Sequence, residues 1–600
     1  MLVLGLNTAF HDSACCLVRD AQVIAAAEEE RFSGIRHAKE PTATGLWQLP
    51  FCSLAYCLEH AKVTLGQVDH IVWSFDARRR MRKCLVSALS DLRRDWVKTT
   101  REVGLWVVNW NTLSFLLGSV PKDQRVRSII LTAPNATPQT HPVPHHVAHA
   151  SSCFFPSPFP EAAIATFDGI GECTCTLLGW GRRNRIGVLR EFNYPHSLGF
   201  FYEEIARFLG FRRNHDEHKV DALAGYGKPK LYDRLRNLIR LSKDGGYDVR
   251  MDFRRSGTLA ARDLVDLLGP PRLWGAEITE RHADIAASAQ KVLEDTVLHV
   301  LRALSHQVPI DSLCLAGGVV LNCQLNERIR SEAGFKNIYI QPAANDAGTA
   351  LGAALWVHHQ ILNRPRIPPM KHVYLGPEYS EKEIETALCS RKLGFARSSD
   401  IAYDCARLIA GGKIIGWFQG RMEWGPRALG NRSILADPRD LQMKDRINKI
   451  KGRENFRPVA PAVLAEVAGQ YFECCAPSPY MLFARKARSE VRDRIPSALH
   501  VDGTARVQTV DPETNPLFHR LINHFQKLTG VPMILNTSLN YAGKPIVCTI
   551  DQALDCYFNS GLDYIALGPF LVAKTELPNE IARDYEGSAN LALQRSHRTD

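Results

Sequence analysis

VLGLNTAFHDSACCLVRDAQVIAAAEEER, residues 3–31, decides the fold. The apolar run VLGLN passes through the polar turn TAFHDS into ACCLV. A second turn at Arg19-Asp20 leads into QVIAAAEEER. Residues 162–192 repeat this logic: AAIATFD, the turn GIGE, CTCTLLGWG, a basic turn, then IGVLREF. Each copy puts a polar or acidic residue at the first turn of an apolar hairpin. Two copies predict an internally duplicated α/β nucleotide-binding fold, whose hairpins face each other across a cleft and grip phosphates from both sides.

Working outward, IAASAQKVLEDTVLHVLRALS (residues 285–305) has the apolar spacing of an amphipathic helix. SLCLAGG then reads as a strand ending in a glycine turn, with the helix-like VVLNCQLNERIRSEA behind it. Free N–H groups there suit adenosine or phosphate. In NIYIQPAANDAGTALGAALWVHHQ, Asn345-Asp346 ends a strand and begins a helix of small residues, which can approach sheet and ligand closely. The proline- and arginine-rich NRPRIPPM, residues 363–370, reads as a linker. The expected division is a domain over 1–365, a second α/β domain over 370–577 and a polar tail over 578–600.

The 600 residues carry 45% hydrophobic and 23% charged side chains, the profile of a soluble globular chain rather than a collagen, a disordered protein or a small disulfide scaffold. No stretch reaches the roughly 20 apolar residues of a membrane span. Asn7, His11 and Asp12 interrupt the apolar N-terminus, so it reads as a core strand rather than a signal peptide. The net charge of +11 permits anionic substrates without demanding them. None of the sixteen cysteines forms a C-x-x-C pair. They read as buried thiols in a reducing cytoplasm.

Three constellations carry chemistry. His145 and His149 are spaced i, i+4, which on a helix aims both imidazoles at one divalent metal, with Asp346 the candidate third ligand; the alternative is a surface histidine cluster. Asp168, in FDGIGE, stands on a glycine-flanked turn whose N–H groups can approach a phosphate; the alternative is an ordinary hairpin turn. In the second domain Arg421, Arg427, Arg432, Lys444, Arg453, Arg457 and Arg506 are flanked by Trp, Phe, Gly and Pro rather than intermixed with acids at helical spacing, the setting of an anion site more than of a solvated face. The polar Asn536-Thr537-Ser538 closes a buried-looking strand, which is costly unless it faces a ligand or caps a helix. The basic stretch 78–101 reads as a solvated amphipathic helix rather than a nucleic-acid patch.

Ten ordered blocks then make the chain resemble, over nearly its whole length, the O-carbamoyltransferases of antibiotic and nodulation-factor biosynthesis. They are FHDSACCLV…AAAEEERFSGIRH, HHVAHASSCFFPSPF, ATFDGIGE, EHKVDALAGYG, LAGGVVLNCQLN, NDAGTALGAA, GRMEWGPRALGNRSILADPR, DRINKIKGRENFRPVAPAVL, HVDGTARVQTV and TGVPMILNTSLN. The resemblance implies a TsaD-like domain of the actin-like ATPase superfamily followed by a YrdC-like domain. It implies that the second domain makes carbamoyl-adenylate from carbamoyl phosphate and ATP, supplied as its Mg2+ complex. The residues in the matching motifs are Arg421, Arg427, Lys444, Arg453, Arg457, Arg506, Asn536 and Ser538. It further implies that the adenylate moves internally to the first domain. There Asp168, Gly317, Gly318 and Asn322 match nucleotide contacts, and His145, His149 and Asp346 match a divalent metal site of the iron(II) type. His11 matches the general base acting on a hydroxylated small-molecule acceptor, and Lys39 lies in a loop that meets the acceptor. DALAGYG, NTSLN and Trp424 depart from the family's usual MGLAPYG, NTSFN and Phe, which bears on pocket dimensions rather than on reaction type.

Three other functions compete. A tRNA threonylcarbamoyl-type modification enzyme is disfavoured by the domain fusion and the GPRALG loop. A sugar kinase would leave the second domain and the histidine pair without a role. A non-catalytic binding protein would not need His11, the metal set and the arginines together. Neither a nucleic acid nor a membrane is expected as a partner.

Overall fold

The structure, a computed structural model, describes the chain except residues 9–10, 21, 39–48, 81–122, 131–137, 254–261, 474–475 and 575–600. Lys39, most of the basic stretch and the tail therefore lie outside the described residues. The chain divides into two compact units. Unit 1 comprises Met1–Ser33 and His37–Met370, and unit 2 comprises Gly34–Arg36 and Lys371–Asp600.

Unit 1 holds two five-stranded sheets. In the first, β1 (Leu2–Asn7), β2 (Ala14–Arg19) and β3 (Gln22–Glu28) form an antiparallel meander, and β4 (His70–Trp73) and β5 (Gln139–Pro142) continue it in parallel beyond β1, giving the order β3-β2-β1-β4-β5. In the second, β6 (Glu161–Phe167), β7 (Thr174–Arg182) and β8 (Arg185–Asn193) form the meander. The strands β9 (Ser312–Ala316) and β10 (Asn337–Ile340) continue in parallel beyond β6, giving β8-β7-β6-β9-β10. Both sheets therefore share one order, third-second-first-fourth-fifth, with the same strand directions. This is the duplicated α/β architecture that the paired hairpins predict. The first two strands of each meander are near-continuous apolar runs because they are covered on both faces; Cys15 and Cys16 are among the fully buried residues. All described cysteines are free thiols, and most are buried. Among the described residues no helix is long and apolar enough to cross a membrane.

Three helices position the site. Helix α1 (His145–Phe154) follows β5 and is buried along its whole length. The long α2 (Glu280–Gln307), capped by Thr279, contains the amphipathic stretch read from the sequence. Helix α3 (Ala347–Leu355), AGTALGAAL, packs against α1 and the first sheet. Its small residues are a geometric necessity. A Cβ on Gly352 would stand 1.8 Å from the carbonyl oxygen of Ala148 in α1. Gly352→Ala is therefore expected to destabilise unit 1 by about 3 kcal/mol or more, since neither backbone can yield without moving a helix. A thermal melt checks this, and an unchanged melting temperature would contradict the close packing. At the C-terminal end of α1, Arg366 donates to the carbonyls of Phe154, Phe155, Ser157 and Phe159 and stacks on Phe154. A cation there satisfies orphan carbonyls and complements the helix dipole.

Unit 2 is built around an eight-stranded mixed sheet. Its strands are β11 (Phe395–Arg397), β12 (Ile415–Phe418), β13 (Arg432–Ala436), β14 (Ala460–Leu464), β15 (Gln508–Val510), β16 (Met533–Ser538), β17 (Tyr564–Leu567) and β18 (Phe570–Ala573). Their order is β11-β18-β17-β12-β13-β16-β14-β15. The helices Ile401–Ala410, Pro516–Thr529 and Ile550–Phe558 each turn an apolar face to its core.

Candidate active site

The first turn of α1 carries His145 and the second His149, both fully buried. Glu172, in the turn after β6, anchors the start of this helix: it accepts from the N–H of His145 at 2.9 Å and of Asp76 at 2.8 Å. A carboxylate there satisfies one of the unpaired N–H groups of the helix start and complements its dipole. The ring nitrogens Nε2 of His145 and His149 are 3.1 Å apart. Asp346, the residue preceding α3, brings Oδ1 to 3.3 and 3.5 Å from them. Asp168, at the end of β6, brings Oδ2 to 3.6 and 3.7 Å. The ligand atoms of all four residues lie within 4.8 Å of one another. The structure thus brings together His145, His149 and Asp346, and adds Asp168, which sequence reasoning placed at the nucleotide. Between them, His146 points away and bonds Thr166 Oγ1 at 2.7 Å.

The donor set fits a divalent cation. His145 Nδ1 faces the carbonyl of Ser74 at 3.2 Å, which makes Nδ1 the protonated nitrogen and leaves the Nε2 lone pair for the cluster. Neither Asp346 oxygen has a hydrogen-bond donor among the described residues, an orphaning that a buried carboxylate does not normally sustain. Burial pushes the Asp168 carboxyl up, but the two imidazoles outweigh it and hold the group well below the usual carboxylate range.

The remaining unit 1 candidates surround this cluster. Gly317, at the end of β9, has φ +98°, and a Cβ on it would lie 2.2 Å from the Phe167 carbonyl oxygen. Its neighbour Gly318 donates its N–H to Asp168 Oδ1 at 2.9 Å. The glycine turn therefore fixes Asp168 with one oxygen, leaving the other for the cluster. Asn322 caps the helix Cys323–Glu332 and is held on both amide atoms by Gln290 of α2. His11 lies in the first turn of the first hairpin, 29% exposed, with Nε2 4.0 Å from Asp346 Oδ2.

In unit 2 the predicted cations separate into two groups. Arg432, on β13, is fully buried, donates to the carbonyls of Gln419, Gly420, Asn431 and Pro377 and stacks 3.7 Å over Phe418. It braces the loop before it. Arg421 likewise donates to the carbonyls of Leu375 and Gly376. Arg453, Arg457 and Arg506 instead converge: burial pushes the Arg453 guanidinium well down, and Arg457 and Arg506 beside it add to the shift. Lys451, which sequence reasoning missed, belongs with them. It is 6% exposed, and its ammonium donates to Asn540 Oδ1 at 2.6 Å and to Ser538 Oγ at 3.3 Å. Burial holds it well below the usual lysine range, and Arg453 adds to this. Burying cations beside one another is costly, and a bound anion would offset that cost. Asn536, on β16, is fully buried against Gln508, and Arg427 is half-buried in its loop. Lys444 lies half-buried in the first turn of the helix Met443–Ile450.

Comparison with known proteins agrees with both halves. The model of the carbamoyltransferase N-terminus matches residues 2–355, and that of the carbamoyltransferase C-terminus matches 406–574. Nodulation protein NolNO of Sinorhizobium fredii is 38% identical over 96% of this chain and 81% of its own length. Nodulation protein NolO of Bradyrhizobium diazoefficiens is 42% identical over 76% and 83%, and nodulation protein U of Rhizobium tropici is 38% identical over 67% and 70%. With both family halves matched in order, and with relatives aligned over most of both lengths, the chain belongs to the carbamoyltransferase family.

Proposed function

We propose that this carbamoyltransferase is ATP-dependent: in unit 2 water cleaves carbamoyl phosphate to carbamate and phosphate, a carbamate oxygen bonds the α-phosphorus of ATP as pyrophosphate leaves, giving carbamoyl-adenylate, and unit 1 transfers the carbamoyl group to a hydroxyl of a small natural-product acceptor. The supporting observation is that one chain carries both a converging cation cluster, Lys451, Arg453, Arg457 and Arg506, and a buried two-histidine, two-aspartate cluster with His11 at its edge.

In unit 2 the cations neutralise the triphosphate and the second phosphate that must lie beside it, and arginine forks orient their oxygens. Arg427, Lys444, Asn536 and Ser538 complete the expected contacts. In unit 1 Gly317, Gly318 and Asn322 face the adenylate. His145, His149, Asp168 and Asp346 would hold a divalent metal. Two imidazoles with carboxylates suit iron(II), manganese or zinc better than magnesium. When bound, such an ion supplies Lewis acidity toward carbamoyl or phosphate oxygens. His11 Nε2 takes the proton of the acceptor hydroxyl. The acceptor oxygen bonds the carbamoyl carbon, the bond from that carbon to the phosphate oxygen breaks, and AMP leaves with the electron pair.

Arg506→Ala tests the two-site scheme. Arg506 ends the strand Thr504–Arg506, and its buried Nε has no hydrogen-bond acceptor among the described residues. Removing one charged fork costs about 1.5–3 kcal/mol, so carbamoyl phosphate-dependent pyrophosphate release is expected to fall roughly tenfold to a hundredfold. Synthetic carbamoyl-adenylate should restore transfer, giving a product heavier by one carbamoyl group. A folded variant that synthetic adenylate fails to rescue, or a product heavier by a phosphoryl group, would overturn the scheme.

A further inference from the structure

The first hairpin turn contains a second cluster, His11, Asp12 and His37, whose ligand atoms also lie close together. Asp12 is its hub. It is 3% exposed and adopts φ +52°, a left-handed conformation that a non-glycine residue keeps only where its surroundings enforce it. The enforcement is visible. Asn7 Nδ2 donates to the carbonyls of His11 and Asp12 at 2.8 and 3.0 Å, and the N–H of Asp12 donates to the carbonyl of His37 at 3.1 Å. The carboxylate is thereby aimed at two rings. Oδ2 faces His11 Nδ1 at 2.9 Å and accepts from Asn345 Nδ2 at 2.8 Å, while Oδ1 faces His37 Nδ1 at 2.6 Å.

The geometry points to Asp12 as the positioning residue of the transfer step: it fixes His11 as the Nδ1–H tautomer, turns its unprotonated Nε2 toward the reacting centre, and uses His37 as the second anchor of its own carboxylate. An ionised carboxylate is acceptor-only, so a ring nitrogen facing it at these distances carries the proton. The other nitrogen of His11, 4.0 Å from Asp346, then keeps its lone pair for the acceptor hydroxyl. When that proton arrives, the imidazolium finds its counter-charge already in place. His37 is braced in turn: its N–H donates to Glu30 Oε2, and its ring lies edge-on to His215 with centroids 4.9 Å apart. Asp12 touches no reacting atom and acts through His11. The inference rests on the reading of His11 as the base, and extends it to what holds that base.

Two measurements test it. The first needs no acceptor. Nitrogen NMR of the full-length, [15N]histidine-labelled chain with zinc added should show the His11 and His37 signals, assigned from His11→Asn and His37→Asn, as Nδ1–H tautomers. An Nε2–H tautomer for His11 would overturn the proposal. The second is a double-mutant cycle on transfer from synthetic carbamoyl-adenylate to the acceptor that gains a carbamoyl mass in the assay above. Asp12→Asn preserves shape but offers a donor to one ring. It should lower kcat by roughly a hundredfold or more, with the KM for the acceptor and pyrophosphate release from unit 2 little changed. In the His11→Ala background the same substitution should change the rate by less than about threefold, because partners in one unit are non-additive. Fully additive losses would mean that Asp12 does not act through His11. A lower bound-metal content in Asp12→Asn would make this cluster a metal site instead, and would equally overturn the proposal. Failure of His11→Ala to affect transfer would strike the reading of the base, whatever the tautomer.

Discussion

His149→Ala is expected to purify without its divalent metal and to transfer carbamoyl groups at least about a hundredfold more slowly, a loss beyond that of a residue that merely orients a ligand. The ring of His149 is fully buried, and its Nε2 is within 3.7 Å of three other donors, so no neighbouring side chain can replace it without a helix shift. The remaining His145, Asp168 and Asp346 would pair two carboxylates with one imidazole, which lowers affinity for a borderline metal. Elemental analysis of the purified variant measures this directly. Cys173→Ser and Cys175→Ser are the controls for a competing thiolate site: burial pushes the Cys175 thiol up, away from the thiolate a metal needs, and both variants should retain full metal. Full occupancy in His149→Ala would return α1 to a helix whose histidines only pack.

What the sequence made legible was local. The two hairpins announced themselves because buried meander strands are apolar runs broken by polar turns. The histidine pair announced itself because i, i+4 spacing is a property of one helix. Strand β5, QTHP, was invisible to such reasoning: it is polar and largely exposed, and joins the sheet only through its parallel pairing with β4. Asp168 was legible as a turn residue, but its direction was not. It takes the Gly318 N–H, 150 residues away, to orient one oxygen and leave the other beside two imidazoles.

Unit 2 shows the same limit. Arg432 has the neighbours of an anion ligand in the sequence, yet its place on β13 buries it under carbonyl oxygens and the face of Phe418. Lys451 lies one residue past the helix Met443–Ile450. Its true surroundings come from Ser538 and Asn540, nearly ninety residues on, where β16 ends. Asp12 and His37 are 25 residues apart, and both have positive φ, which no residue type at those positions signals. Convergence of distant segments decides chemistry here, and a pattern read along one segment does not contain it.

That convergence gives the last prediction its sharpness. His11→Ala should abolish transfer while leaving carbamoyl phosphate-dependent pyrophosphate release intact. General-base catalysis contributes about 10²–10⁴-fold, and the imidazoles of the four-residue cluster, His145 and His149, present their Nε2 atoms to the carboxylates. The partial reaction should survive because its cations, Lys451, Arg453, Arg457 and Arg506, all belong to unit 2, whereas His11 belongs to unit 1. Pyrophosphate release measured without acceptor, beside product mass measured with it, separates the two steps in one preparation. If a folded His11→Ala chain lost both together, activation and transfer would share one site, and the assignment of adenylate formation to unit 2 alone would fall. If it lost neither, the proton of the acceptor hydroxyl would have to leave by another group, and the Asp12 carboxylate would be holding two histidines for structure rather than for chemistry.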